Sequence, residues 1–384
     1  MSSCKADALA PSSSANLGSS ETQNACRTKG ELWILIDSLT YGGIETHVVE
    51  LANGLKQFNQ QVRVVLLARY GKPSAIIDKL KALDIPYSYV EDLYTQSVNA
   101  VTVHSNKPLP SPLKQLLISI RTFQPSVVHA HGYKASIFSK LCKLMLGSSF
   151  SQLTTFHAGE TPVGRVKWYD RLDRYSAFLS DQRLSVSQTI QSKVPAKSHV
   201  LNNFITMPDL VSESQTGTTR QHVAFVGRLS HEKGPDRFIK LAQEHLEVTF
   251  TLYGDGDMRD ELTSLASDNV RFAGFQTNMA QCWGEIDLLV ITSRFEGLPM
   301  TAIEAMARGI PILSLNVGAI VNLIEDQKNG WIASDMSSLS TKLQSYLSLS
   351  QNELNIIQRS ARNTVSSNFS TEAVIPQVLK LYHS

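Results

Sequence analysis

Several common protein classes are argued against by what these 384 residues lack. Four cysteines (Cys4, Cys26, Cys142 and Cys282) lie far apart without metal-ligand spacing. That leaves no disulfide framework and no zinc ribbon, and Cys142 and Cys282 read as small core residues in a reducing compartment. No stretch approaches the ~18 consecutive apolar residues of a membrane-spanning helix. Residues 1–29 are rich in Ser, Ala and Asn and have no apolar centre. They read as a disordered tail and not as a signal peptide. No repeat with a period of roughly 20–50 residues is visible, which excludes solenoids and propellers. The net charge of +2 names no partner, and nothing points to nucleic acid. A GxGxxG fingerprint is missing, so nicotinamide dinucleotide binding is not indicated.

What is present is globular. Hydrophobic residues make up 42% and charged residues 18%, and the length suits two domains that each bury a core. Charge is unevenly spread: Leu113 to Val200 carries 12 Lys/Arg against 4 Asp/Glu, and His222 to the end 13 against 18. A basic first half suits an anionic partner, whether phosphates, a lipid headgroup or an anionic glycan.

Apolar runs alternate with helical spacing along the chain. Strands are expected at 32–36, 62–68, 127–130 and 152–156, with helices at 44–58, 75–83, 113–123 and 133–146. Residues 86–90 read as extended, and 91–112, with three prolines, as a loop. The alternation resumes with strands at 223–226, 248–253, 270–272, 288–291 and 310–313, and helices at 235–243 and 258–266. The expected fold is α/β: two Rossmann-like, doubly wound parallel-sheet domains facing across a cleft. The expected division is a first domain over 30–205, a linker over 206–220 (polar and aperiodic from Pro208), a second domain over 221–365 and a final helix over 366–384.

Five segments carry chemistry. Glu296 and Glu304 stand eight positions apart around Gly297 and Pro299, after a strand and into a helix. Ligands bind in that crevice of open α/β sheets. The loop can offer N–H groups to an anion, and the carboxylates can accept hydroxyl hydrogen bonds, as a nucleotide sugar would require. A capping Glu followed by a solvated helical Glu would read the same. Gly227-Arg-Leu-Ser-His-Glu-Lys-Gly234 follows a strand and sets Arg228 and Lys233 where both can converge on one pyrophosphate. Gly42-Gly43 opens a helix and suits close approach to a phosphate, as would a plain tight turn. His131 and His157 end neighbouring strands at one sheet edge. Metal ligation by them is discounted, because no carboxylate or Cys completes the set. In Tyr253-Gly-Asp-Gly-Asp257 the glycines keep a loop tight, with Asp257 placed to cap a helix.

Taken in order, GGIE (42–45), HAHG (129–132), TFH (155–157), GRLSHEKG (227–234), YGDGD (253–257) and EGLPMTAIE (296–304) resemble the retaining GT-B glycosyltransferases of family 4. The resemblance runs from about residue 31 to the C-terminus. It implies that Arg228 and Lys233 hold the donor diphosphate and that Glu296 grips the sugar hydroxyls. It further implies donor binding along Gly297, Leu298, Pro299 and Met300, with N–H groups of that stretch at the phosphates, Glu304 on the ribose, and Gly43 at the β-phosphate. His157 stands by the sugar and the incoming acceptor, with His131 a further contact. Transfer then retains anomeric configuration, with neither metal nor cofactor, since the nucleotide sugar is a substrate. A glycan or glycolipid acceptor at an anionic membrane surface is implied for a cytoplasmic enzyme peripheral to the inner face. Where many members carry Gly-Gly-x-Pro-Glu, residues 317–322 read Val-Gly-Ala-Ile-Val-Asn. Two alternatives remain: a nucleotide-sugar epimerase using His131 and His157, and a degenerate, non-catalytic binding module.

Overall fold

A computed structural model describes residues 30–38, 41–71, 73–98, 109–157, 165–209 and 222–383. The tail over 1–29 and residues 210–220 of the expected linker lie outside these residues.

The first sheet contains β1 (Leu32–Ile36), β2 (Val62–Leu66), β3 (Tyr87–Tyr89), β4 (Val127–His131), β5 (Ser151–Phe156), β6 (Gln182–Ser185) and β7 (His199–Val200). Their order is β3-β2-β1-β4-β5-β6-β7, with every pairing parallel. Helices α1 (Gly43–Gln57), α2 (Ile76–Ala82), α3 (Val90–Val98), α4 (Pro112–Phe123), α5 (Tyr133–Leu146), α6 (Arg165–Tyr175) and α7 (Gln188–Gln191) connect the strands. The second sheet contains β8 (His222–Val226), β9 (Thr249–Tyr253), β10 (Val270–Gly274), β11 (Leu288–Ile291), β12 (Ile312–Leu315) and β13 (Trp331–Ala333). It is again parallel, in the order β10-β9-β8-β11-β12-β13. Its helices are α8 (Pro235–Glu244), α9 (Arg259–Leu265), α10 (Met300–Ala307), α11 (Met336–Ser348), α12 (Gln351–Asn368) and α13 (Thr371–Tyr382).

Strands buried on both faces need continuous apolar runs, and β1 (LWILI) and β11 (LLVI) are buried at every position. Each sheet therefore separates two apolar layers, and α13 joins one of the first sheet's. Val374, Ile375, Val378 and Tyr382 pack with Val48, Leu51 and Leu55 of α1. At the helix crossing, a Cβ on Gly54 would collide with the Ile375 side chain.

Three sequence expectations are corrected. Residues 90–98, expected as extended and then loop, form α3, which buries only Val90 and Leu93 and so shows little apolar periodicity. The strand expected at 310–313 is β12 at 312–315; Pro311 has no N–H to pair, and its carbonyl accepts from Leu289 N. Asp257 does not cap α9, whose N-cap residue is Met258, without a side-chain cap bond.

Strand order locates the ligand crevices. In the first sheet the connections reverse direction between β1 and β4, and in the second between β8 and β11. Doubly wound sheets bind ligands at the carboxyl ends of the strands flanking such a switch. Gly42-Gly43 follows β1, His131 ends β4, the Arg228–Lys233 loop follows β8 and Glu296 follows β11.

Candidate active site

The second sheet's crevice is built from ionic side chains on glycine-shaped loops. Lys233 Nζ donates to Glu296 Oε1 at 2.7 Å, and Ser293 Oγ donates to the same oxygen at 2.7 Å. The Glu296 carboxylate is buried, whereas Lys233 is partly exposed. A second set of bonds fixes the two loops to each other. The Arg294 guanidinium spans both carboxylate oxygens of Asp236, at 2.8 and 2.6 Å, and also donates to His231 O at 2.8 Å. Such a two-point fork fixes direction as well as distance. Arg228 is exposed and lies near enough to Glu45 of α1 to draw its carboxyl pKa down, although burial, the larger effect, raises it.

Two glycines explain the neighbouring motifs. Gly254 has φ +149°, and a Cβ there would run into the Gly227 carbonyl, so the YGDGD turn can lie flat beneath the Arg228 loop only with glycine. Gly318 has φ +57°, and a Cβ would meet the Glu296 carbonyl. Ala319 N donates to Gly297 O at 2.9 Å. The altered 317–322 loop thus keeps its backbone contact with the Glu296 segment although the Pro and Glu of the usual pattern are absent.

Pro299 is the N-cap residue of α10 and has no N–H, so the donors along that loop are Gly297, Leu298 and Met300. Leu298 O accepts from Asn203 Nδ2 at 2.7 Å, a direct bond to the segment that closes the first domain. Glu304 lies one turn into α10. Burial pushes its pKa up to about 7, with Arg308 opposing and Glu50 of α1 adding to the rise. Glu50 in turn accepts from Thr206 N at 2.6 Å and Thr206 Oγ1 at 2.9 Å.

The first sheet's crevice holds imidazoles. His131 is fully buried and its Nδ1 lies 2.9 Å from His157 Nε2. His129, two residues earlier on β4, bonds Tyr382 OH at 2.8 Å and Thr155 Oγ1 at 2.7 Å. His47 of α1 completes the group, its ring centroid 4.8 Å from that of His157. Burial holds all four rings in the neutral form: it lowers His47 to about 4 and His129 to about 3, and takes His131 and His157 well below the usual imidazole value. Among the described residues, His47 Nδ1 and His131 Nε2 are buried without a hydrogen-bond partner.

His47 was not singled out from sequence. Its signal was a histidine on the apolar face of α1, one residue before Val48. It supplies the third ligand that the HAHG and TFH motifs lacked, and His47, His131 and His157 offer nitrogens within 4.8 Å of one another. The outer limit of that spread exceeds the roughly 3.3 Å edge of a tetrahedral site with Zn–N bonds of about 2.0–2.1 Å.

Of the residues expected at the site, Lys233 and Glu296 touch. Gly297, Leu298, Pro299 and Met300 continue directly from them into α10. His131 and His157 touch each other on the opposite sheet, Gly43 begins α1 beside that edge, and Arg228 and Glu304 face α1. Ser293, Arg294, Asp236, Asn203 and Glu50 support these groups and were not anticipated.

Residues 41–205 match the family model Glycosyltransferase Family 4, and residues 220–348 match Glycosyl transferases group 1. One similar protein is the poly(ribitol-phosphate) alpha-N-acetylglucosaminyltransferase of Staphylococcus aureus (strain COL), 26% identical over 196 residues, which are 48% of this chain and 39% of that protein. Another is the O-antigen biosynthesis glycosyltransferase WbnH of Escherichia coli, 27% identical over 209 residues, covering 52% of this chain and 61% of the relative. The matched region therefore spans less than two thirds of either relative's length. In fold the chain is similar to Anabaena Alr3699/HepE, solved in complex with UDP and glucose, with a TM-score of 0.75 at 19% identity over 92% of this chain and 99% of that one.

Proposed function

We propose that this chain, which belongs to the group 1, family 4 glycosyltransferases, moves a sugar from a nucleoside-diphosphate sugar to a glycan or glycolipid acceptor. Cell-surface polysaccharide or lipopolysaccharide synthesis is the setting, at the inner face of a membrane. The relatives' names support that setting: one acts on poly(ribitol-phosphate) and another serves O-antigen biosynthesis.

The observation that carries the reading is the 2.7 Å contact of Lys233 with Glu296 on adjoining loops at the second sheet's switch point. It joins a diphosphate cation to a carboxylate able to accept sugar hydroxyls. In the reaction the bond from the anomeric carbon to the phosphate oxygen breaks, and the acceptor oxygen bonds to that carbon on the same face. The departing phosphate accepts the acceptor's proton. Arg228 and Lys233 neutralise the charge that develops on the phosphate, which is the contribution a preorganised site makes most strongly. N–H groups of Gly297, Leu298 and Met300 add to it, Gly43 at the start of α1 meets the β-phosphate, and Glu304 takes the ribose.

His157 works as a neutral imidazole, held by His131, that contacts the sugar and the approaching acceptor. With the cations supplied by the protein, transfer needs no metal ion and no cofactor.

The test is transfer and hydrolysis across UDP-, GDP- and ADP-sugars, UDP first, with a broad acceptor set. Arg228→Ala and Glu296→Ala each lower transfer by about 10²-fold or more while the far-UV spectrum and melting transition persist. No turnover by the wild-type chain with any donor would contradict the reading. An isomerised sugar from donor alone would instead make the protein an epimerase, and absence of nucleotide binding a non-catalytic module.

A further inference from the structure

Helix α6 is amphipathic in the wrong sense for a helix on a water-facing surface. It buries a charge, since Asp173 is only 6% exposed and accepts from Lys140 Nζ at 2.7 Å. It exposes Trp168 (70%), Leu172 (54%) and Tyr175 (68%), which fall at i, i+4 and i+7 on one stripe. Phe178, in the short turn after the helix, is 71% exposed, and Tyr169 is also exposed, stacked on Tyr133. Scattered single apolar residues on a surface need no explanation, but five within eleven positions form a patch.

Cations flank the stripe. Lys167 and Arg171 are exposed, and the Arg171 guanidinium lies 5.9 Å from the Trp168 ring centroid. These two, with Arg174 and Lys193, line a cleft of about 410 Å³ in which the one acidic lining residue among the described residues, Asp170, is paired with Arg174. Rings with a polar tip beside long basic side chains suit the boundary between lipid headgroups and acyl chains. A soluble polyanion would meet the cations but leave Leu172 and Phe178 in water.

We propose that α6 and the Phe178 turn form a docking surface for an anionic phospholipid bilayer. Trp168, Leu172, Tyr175 and Phe178 enter the headgroup boundary, and Lys167 and Arg171 sit on lipid phosphates. Docking would hold the His157 edge, just before α6 in the chain, close to the surface that carries a lipid-linked acceptor. Only that last consequence rests on the glycosyl-transfer reading; the binding itself does not.

The molecule provides its own probe. Of its four tryptophans, Trp33, Trp283 and Trp331 are buried, so a change in emission on docking reports Trp168. The full chain is titrated with vesicles of phosphatidylcholine alone and of phosphatidylcholine with 30% phosphatidylglycerol, following sedimentation and tryptophan emission. The expected result is binding to the anionic vesicles at least ten-fold above the neutral ones, with a blue shift. Lys167→Glu with Arg171→Glu lowers partitioning by roughly 25-fold or more, about five-fold for each cation lost. Leu172→Ala with Phe178→Ala lowers it roughly ten-fold with the charges intact. Trp168→Phe keeps most of the binding but removes the blue shift.

Equal binding to both vesicles, or binding with no change in emission, overturns the proposal. So does a soluble polyphosphate that competes fully with the vesicles and shifts the emission equally, because the surface would then be a polyanion site. Normal transfer to a soluble acceptor without vesicle binding sinks this inference alone. Vesicle binding without nucleotide-dependent chemistry sinks only the functional reading.

Discussion

At the carboxyl edge of the first sheet the side chains are uncharged imidazoles, His47, His129 and His131 buried and His157 half-buried, whereas at the corresponding edge of the second they are an exposed guanidinium, a partly exposed ammonium and the buried carboxylate it holds. The same topology places both, since each edge flanks a strand-order reversal. Their environments differ because His47 of α1, backed by Phe204, packs against the His131 and His157 rings, while Arg228 is exposed and Lys233 partly exposed on their loop. A buried edge can select by shape and by hydrogen bonds of fixed direction. An open ionic edge can meet a diphosphate at little desolvation cost.

The largest expected effect falls on the ionic edge. Arg228→Ala should lower kcat by about 10²–10³, roughly 2.7–4 kcal/mol of transition-state stabilisation, with no change in melting temperature. Steady-state kinetics on a folded variant checks this, and a loss below ten-fold would place the cation outside the reaction. Next comes the hinge of the donor loop. Gly318→Ala forces a Cβ against the Glu296 carbonyl at φ +57° and should cost about 1–3 kcal/mol, read by urea unfolding, together with a raised donor KM.

The two edges should also titrate in opposite directions. His47 and His129 are held near 4 and 3 when folded but take up protons near 6.5 when unfolded. The unfolded chain therefore binds more protons between about pH 4 and 6.5, and stability from the imidazole edge is lost on acidification through that window. Glu304 behaves in the reverse way. Its folded pKa of about 7 exceeds the ordinary 4.5, so its contribution is present below pH 4.5 and is lost as pH rises towards 7. Unfolding free energies measured from pH 4.5 to 7 should rise overall with pH, and Glu304→Gln should steepen that rise. The smallest effect sharpens the comparison by its absence. Dialysis against EDTA should leave transfer unchanged, whereas a loss restored by zinc would assign a metal to His47, His131 and His157.

Much of this arrangement was legible in the sequence because buried parallel strands need unbroken apolar runs. β1, α5 and β11 fall where the pattern places them, and Arg228, Lys233 and Glu296 follow strands because their loops carry Gly and charge together. The less legible parts share a cause. Among the described side chains of α6 the buried one is Asp173 and the exposed ones include Trp168, Tyr169, Leu172 and Tyr175, so these show no apolar face turned inward. α3 has too few buried residues to show a period. His47 lay inside a helical pattern already explained by its apolar neighbours, and its role depends on rings brought from β4 and β5, about 80 residues or more downstream. Contacts between the halves, such as Asn203 with Leu298, depend on how the domains pack and leave no local mark.

The account stands or falls on whether the open ionic edge grips a diphosphate. Calorimetric titration of UDP, then GDP and ADP, into the wild type, Arg228→Ala and Lys233→Ala tests that most directly. One nucleotide should bind the wild type, stabilising it by about 2.7 kcal/mol at 100 times its Kd, and either substitution should weaken that binding at least ten-fold. Equal affinity across the three proteins would contradict the account.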